Sequence, residues 1–407
     1  MSLISKNDCV EILKSKLGDD RFQLEDFTFK YFEELLGFHA NHAGLTIKAI
    51  LNGTVEDFKF FVKTGSNNPE IKEKYWNVLN QFYKEHVFLT NVVKILQNFV
   101  VKKITADCYL SKLDKLCVLE DLGGLGFEVS QVDYPDIIHA ELAIQAFANL
   151  HASAILYEEK TGVVLDEKYK DINYESLLFE DDKHPTEHLL YSVDKGVRAV
   201  ADKFFTHVSP EIRDVVFSKI HRRITETMVH SKKYRKVVCQ GDAWGNNILF
   251  KYNNEGKPID SILVDFGCLR FAPPAMDLMQ FMYLGTKSEF RAKHKAQMKD
   301  MYYRHLGYIL SENGVDVDSV LPKSQFLESC DVYEEFGICC RVYYEYVTRL
   351  PGPYLMRAAA SVDTFLGLMV RGDAELGLEA FEKDEGFRNR VTESIHDAFR
   401  YYKHPIA

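Results

Sequence analysis

Gln240-Gly241-Asp242-Ala243-Trp244-Gly245-Asn246-Asn247 is followed, eighteen residues beyond Asn247, by Asp265 in the run Val264-Asp265-Phe266-Gly267. An aspartate, an asparagine five positions on, and a second aspartate after a strand are the groups that kinase-type phosphoryl transfer requires. One carboxylate takes the proton of an attacking hydroxyl, while an amide oxygen and the second carboxylate hold Mg2+ against the phosphates of ATP. As bare letters this pattern is weak, and its setting gives it weight. Residues 236–239 read as a short strand entering the loop, 248–252 as the strand leaving it, and 259–264 as its return after a turn at 253–258. A hairpin centred near Glu255 and Gly256 places Asn247 opposite Asp265 or one place from it. Asp242 then sits across the loop, where a hydroxyl can reach it.

Phe266-Gly267 after Asp265 echoes the Asp-Phe-Gly of protein kinases. Arg270 reads by default as a solvated side chain. Pro273-Pro274-Ala275-Met276-Asp277-Leu278 puts an acid at the start of an apolar helix. Asp277 either caps that helix or turns inward to accept backbone N–H groups of the catalytic loop.

Towards the N-terminus, residues 45–51 and 58–63 read as partner strands around an Asn52-Gly53 turn. Asn68-Pro69-Glu70 opens a helix with a capping side chain, a proline in the first turn and an acid near the positive dipole end. The apolar stripe of that helix runs through Ile71, Tyr75, Val78, Leu79, Phe82 and Leu89, and Glu85 falls inside it. A carboxylate aimed into a packed face needs a partner, and Lys63 at the end of the preceding strand is the natural one. Either charge alone reads as a solvated surface group. The downstream triad favours the pairing that steadies ATP phosphates in kinases.

Residues 106–110 read as a strand. The run Leu116-Cys117-Val118-Leu119-Glu120-Asp121-Leu122-Gly123-Gly124 reads either as a plain strand and turn or as a hinge. In the hinge reading, backbone groups of Leu119, Glu120, Asp121 and Leu122 pair with adenine. Helix dominates after Pro135: a buried helix ending near His151, with that His as a satisfied core residue, then 193–205, 210–229, 288–312, 324–348, 355–370 and 384–402. The polar stretch 158–187 reads as an extended surface connection.

The 407 residues are enough for one large core or two smaller ones. A net charge of −10 argues against a nucleic-acid partner, yet leaves room for a local cationic site. Eight cysteines without CxxC pairs suggest reduced, buried thiols of a cytosolic protein. The opening residues show no secretory leader, and no apolar run approaches the ~20 residues of a membrane span. A soluble, cytoplasmic protein without internal repeats is the expectation, its oligomeric state unread.

The segments from Gly241 to Tyr252, Val264-Asp265-Phe266 and Pro274-Ala275-Met276-Asp277-Leu278 together resemble the ecdysteroid kinase-like (CHK kinase-like) family, which belongs with aminoglycoside phosphotransferases and choline kinases. Leu119-Glu120-Asp121-Leu122 and Phe82-Tyr83-Lys84-Glu85 also match it, so the similarity spans most of the chain. The resemblance implies an α+β, bilobal kinase-like fold. Its parts would be an N-terminal nucleotide lobe over 1–118, a hinge at 119–124 and a larger helical lobe over 125–407 that carries the acceptor pocket. It further implies ATP- and Mg2+-dependent phosphorylation of a small-molecule hydroxyl, ecdysteroids being the namesake substrates. Asp242 would be the base, Asn247 and Asp265 the metal ligands, and Lys63 with Glu85 would attend the phosphates. Gln240 stands where the family usually has His, in an orienting role. His39-Ala40-Asn41-His42-Ala43-Gly44 stands where a glycine-led nucleotide loop belongs.

A catalytically silent binding protein on the same fold is the second reading, motivated by Gln240 and that loop. The intact Asp242, Asn247 and Asp265 oppose it. A protein kinase fits poorly, because the interval from Asp265 to Asp277 leaves no room for an activation loop. Aromatic residues of the C-terminal helices, Tyr343 and Tyr344 among them, suit an apolar alcohol but read first as core.

Overall fold

Alternation builds the first layer. In the computed structural model, which describes residues 3–32, 40–66, 68–113, 115–227 and 233–404, strand β2 (Asn41–Leu51) buries Ala43, Leu45, Ile47 and Ala49 on one face. Phe60 and Val62 do the same in β3 (Thr54–Thr64), as a two-residue side-chain period demands. Asn52 and Gly53 join these strands at φ 49° and 82°, the left-handed pair of a two-residue hairpin turn. With β1 (Phe22–Tyr31), β4 (Cys108–Lys112) and β5 (Leu116–Glu120) they form an antiparallel sheet in the order β1-β2-β3-β5-β4. Helix Lys6–Leu17, opened by a capping box between Ser5 and Asp8, lays Cys9, Ile12 and Leu13 against one face of this sheet. Ala43, His42 and Gly44 therefore belong to a strand: β2 starts four residues before the expected 45, with Asn41 opposite Thr64 and His42 opposite Lys63. The 39–44 segment is thus a strand from Asn41 onward and not a nucleotide loop, and His39 lies outside the described residues.

Asn68 caps the next helix as its sequence suggests, its Oδ1 accepting from the N–H groups of Glu70 (3.0 Å) and Ile71 (3.1 Å). The single stripe expected through residue 89 is broken, however. A π-helical turn spans Lys72–Trp76, Asn80 adopts φ 50°, helix resumes over Gln81–Val87, and a second π-turn follows at Phe88–Val92. Asn tolerates the left-handed region better than most residues, and each π-turn takes in an extra residue and shifts the stripe.

The larger helical part is organised around helices Ile137–Thr161, Ala275–Gly285, Ser288–Glu312 and Lys323–Thr348, whose buried side chains join one core. Tyr75, Leu79, Phe88 and Leu96 of the interrupted run pack into that same core. The first of these helices runs past His151 because Ala152, Ala154, Ile155 and Leu156 continue its buried surface; Gly162, at φ 69°, ends it. The 158–187 stretch is not a plain surface connection, since Ser176, Leu177 and Leu178 are buried. The expected 355–370 helix is three pieces, Gly352–Ala359, Val362–Leu366 and a π-turn at Gly367–Arg371, with Ser361 capping the second. Between the sheet and the helices lie β6 (Phe127–Val129), β8 (Ile248–Tyr252) and β9 (Pro258–Leu263), in the order β6-β8-β9, and the pair β7 (Val237–Cys239) with β10 (Arg270–Ala272). The fold is thus α+β, an N-terminal antiparallel sheet followed by a larger helical part. All eight cysteines are thiols, and all but the half-buried Cys108 are buried. Among the described residues no helix is long and apolar enough to cross a membrane.

Asn68→Ala removes an acceptor from two first-turn amides. It should lower unfolding free energy by about 1 kcal/mol, read as a lower urea midpoint at unchanged slope.

Candidate active site

The loop that carries Asp242 begins where β7 ends and two amides lose their ladder. Gln240 N–H donates to Asp277 Oδ2 at 2.7 Å and Gly241 N–H to Oδ1 at 3.0 Å. Asp277 is fully buried, and its helix carries no side-chain cap, so the inward alternative is the one realised. His151 Nε2 lies 3.2 Å from Asp277 Oδ2, and its Nδ1 lies 2.8 Å from the Tyr302 hydroxyl. His151, Cys239 and Asp277 cluster closely enough to suggest a metal. Both ring nitrogens and both carboxylate oxygens already have partners, so the group is a brace.

Gly241 has φ 81°, and a Cβ there would meet the Cys268 carbonyl oxygen at 2.1 Å. Only glycine fits both demands. Gln240 spends its amide on orientation: Oε1 accepts from Asp242 N–H (2.7 Å), while Nε2 donates to the carbonyls of Val264 (3.1 Å) and Asp265 (2.7 Å). One amide thus ties the loop to the strand end that carries Asp265, using a donor and an acceptor on a single side chain.

Asp242 is almost fully buried. Its Oδ1 accepts from the Tyr344 hydroxyl at 2.6 Å, and its Oδ2 from Asn247 Nδ2 at 2.8 Å and Trp244 Nε1 at 3.2 Å. Burial pushes the carboxyl up to about 6; the Tyr344 bond opposes that rise and the nearby Asp265 charge adds to it. Asn247 Nδ2 also donates to the Asp242 carbonyl at 2.9 Å, which leaves the amide oxygen as its other end. Ile248 pairs with Leu263, and Val264 N–H donates to Asn247 O at 3.0 Å, so Asn247 lies one place from Asp265 in register. Asp265 sits at φ 59°.

Lys63 Nζ lies 2.8 Å from Glu85 Oε2 and 2.9 Å from Asp265 Oδ1. Burial would discharge this ammonium, but the Asp265 and Glu85 carboxylates outweigh it and hold the group charged. His42, opposite Lys63, is kept neutral: burial and the Lys63 charge push its imidazole down to about 4. Phe266 stacks on Phe88 with centroids 3.9 Å apart, fastening the residue after Asp265 to the helical run that holds Glu85.

A cavity of about 560 Å³ opens between sheet and helices, and Lys63, Glu85, Asp242, Asn247 and Asp265 all line it. Leu119, Glu120, Asp121 and Leu122 line it as well. Their polar groups have local partners: Glu120 N–H donates to Asp107 O (2.8 Å), Leu122 N–H to Glu120 O (3.0 Å), and Asp121 Oδ1 accepts from Gly124 N–H (3.0 Å). Arg270 is not solvated; it is buried, with Glu175 at 2.6 Å. Its partner comes from the polar 158–187 stretch, where residue type gave no hint of burial. Tyr344, Trp244 and His42 are site residues that sequence reasoning did not assign. Trp244 had a local signal, lying inside the loop two places from Asp242.

Antiparallel sheet, hairpin-borne acids and helical bulk around one cleft define a kinase-like fold. The ecdysteroid kinase-like family model matches residues 42–314, and the chain belongs to that family. It is also similar to the solved structure of the microcompartment-associated aminopropanol kinase, at a TM-score of 0.39 and 10% identity over 97% of this chain and 98% of that one. No curated protein matches it.

Gly241→Ala combines a disfavoured backbone angle with a backbone clash, and should destabilise the protein by about 3 kcal/mol. A drop in melting temperature far larger than that of Gly256→Ala, where the added Cβ meets open space, checks the contribution of the clash.

Proposed function

We propose that the protein transfers the γ-phosphoryl group of Mg-ATP to the hydroxyl of a small apolar alcohol, an ecdysteroid being one such alcohol. The supporting observation is the meeting of Asp242, Asn247, Asp265 and Lys63 on one cavity. In this reading residues 1–118 form the nucleotide lobe, 119–124 the hinge and 125–407 the acceptor-bearing lobe.

The donor set fits a hard cation. The Asn247 amide, its nitrogen engaged with Asp242, offers oxygen, and Asp265 offers carboxylate oxygen, the ligands Mg2+ takes. When bound, Mg-ATP supplies the phosphoryl group and the screening of its charge. Lys63, held between Glu85 and Asp265, presents a fixed positive charge to the phosphates. Asp242 accepts the proton of the acceptor hydroxyl, while Tyr344 and Trp244 keep its two oxygens oriented. The apolar wall of the same cavity, through Leu177, Leu178, Leu189, Val193 and Met369, suits hydrocarbon more than sugar.

Mg-ATP-dependent ADP release in the presence of steroid and other apolar alcohols tests the reading. Asp242→Asn should lower it by at least about a hundredfold, the lower end for a lost general base. Saturable alcohol binding without ADP release would instead leave a silent binding protein.

The base works only when ionised, so the rate should rise with pH through about 6. Tyr344→Phe removes a bond that favours the ionised form, and should move that acid limb to higher pH. An acid limb that stays in place in Tyr344→Phe would separate the hydroxyl from the ionisation of Asp242.

A further inference from the structure

A second cavity, of about 360 Å³, adjoins the first, and Ala40 and Met369 line both. One wall comes from the interrupted helical run after β3, through Ile71 and Trp76; the other comes from the broken helices between 352 and 371, through Ala359, Phe365 and Leu368. Each wall contains a π-helical turn. Trp76 ends the turn Lys72–Trp76, and Leu368 and Met369 lie in the turn Gly367–Arg371. Such turns are uncommon and gather at functional sites; here two of them face one void. Ala359, Ala360 and Ser361 are exposed at its rim, so the space is an open pocket, and its volume is that of a ligand site.

The lining also selects an occupant. Among the described residues no charged side chain lines the chamber, and Asn41, Ser66 and Ser361 are its polar members. A phosphate or carboxylate placed there would find no counter-charge among the described residues, which disfavours an anionic group in the chamber. Hydrocarbon meets indole, phenyl and aliphatic surface.

We propose that this chamber receives the distal, apolar end of an elongated alcohol whose hydroxyl lies at Asp242. The assignment of the hydroxyl end rests on the phosphotransfer reading above. Adjacency carries the rest: Ala40 and Met369 border both the cavity that holds Asp242 and the chamber, so an elongated molecule lying along Met369 reaches from one to the other. The site thereby discriminates by length. Each methylene moved from water into the chamber should tighten binding about fourfold, until the chamber is full.

The chain has two tryptophans, Trp76 on the chamber wall and Trp244 beside Asp242. In full-length Trp244→Phe protein the indole emission therefore reports Trp76. Titration with straight-chain alcohols from 1-butanol to 1-dodecanol should change that emission saturably, with Kd falling about fourfold per carbon over the middle of the series. Ala359→Phe, a filling change at an exposed position of the wall, should raise the ratio of the 1-decanol Kd to the 1-butanol Kd about tenfold. Val362→Phe, also on the wall, serves as a second filling variant. In turnover by the wild type, the KM ratio should follow the same order. A Kd independent of chain length, or filling variants that leave the ratio unchanged, overturns the chamber. Length-dependent quenching of Trp76 in a protein that never releases ADP keeps the chamber as an apolar site and removes the phosphotransfer reading.

Discussion

The arrangement of the loop that carries Asp242 depends on a carboxylate that never meets solvent. When β7 ends, the amides of Gln240 and Gly241 have no strand to bond to, and a buried N–H without an acceptor is costly. Asp277 takes both, and His151 and Tyr302 steady it from behind. Once those amides are fixed, Gly241 must pass the Cys268 carbonyl with no side chain of its own. Gln240 then reaches across to Val264 and Asp265. The position of Asp242 relative to Asp265 is therefore set by buried backbone amides on Asp277 and by the side-chain amide of Gln240.

A second constraint is electrostatic. Lys63 and Glu85 are buried and Asp265 is half-buried, an arrangement tolerable only because the ammonium stands between the two carboxylates. Taking away Lys63 would leave the Glu85 and Asp265 carboxylates without the cation that stands between them. The same low-polarity setting lifts the Asp242 carboxyl towards neutrality.

How much of this was legible in the chain follows from distance along it. Asp242 and Asn247 share one loop, and the hairpin behind them has a two-residue side-chain period, so the approach of Asn247 to Asp265 could be counted out in advance. Glu85 betrayed itself by standing in an apolar stripe, although Asn80 and two π-turns made the real helix less regular than the stripe implied. Asn41 to Gly44 misled because polar and small residues read as a loop, whereas pairing with β3 holds them as strand. Tyr344 left no local trace: it comes from a helix 102 positions beyond Asp242, in a run of aromatics that pattern alone assigns to the core. Arg270 failed for the same reason, its partner Glu175 being recruited from a distant polar segment.

The sulfur atoms offer a last consequence. Burial drives the Cys268, Cys239 and Cys340 thiols well above their ordinary range, so at neutral pH they are protonated and inert as nucleophiles. A maleimide or peroxide reaches them only when the surrounding backbone opens. Cys268, held by Gln81 Nε2 at 3.0 Å and packed against Gly241, thereby becomes a clock for breathing of the loop, and Cys340 one for breathing of the helical core.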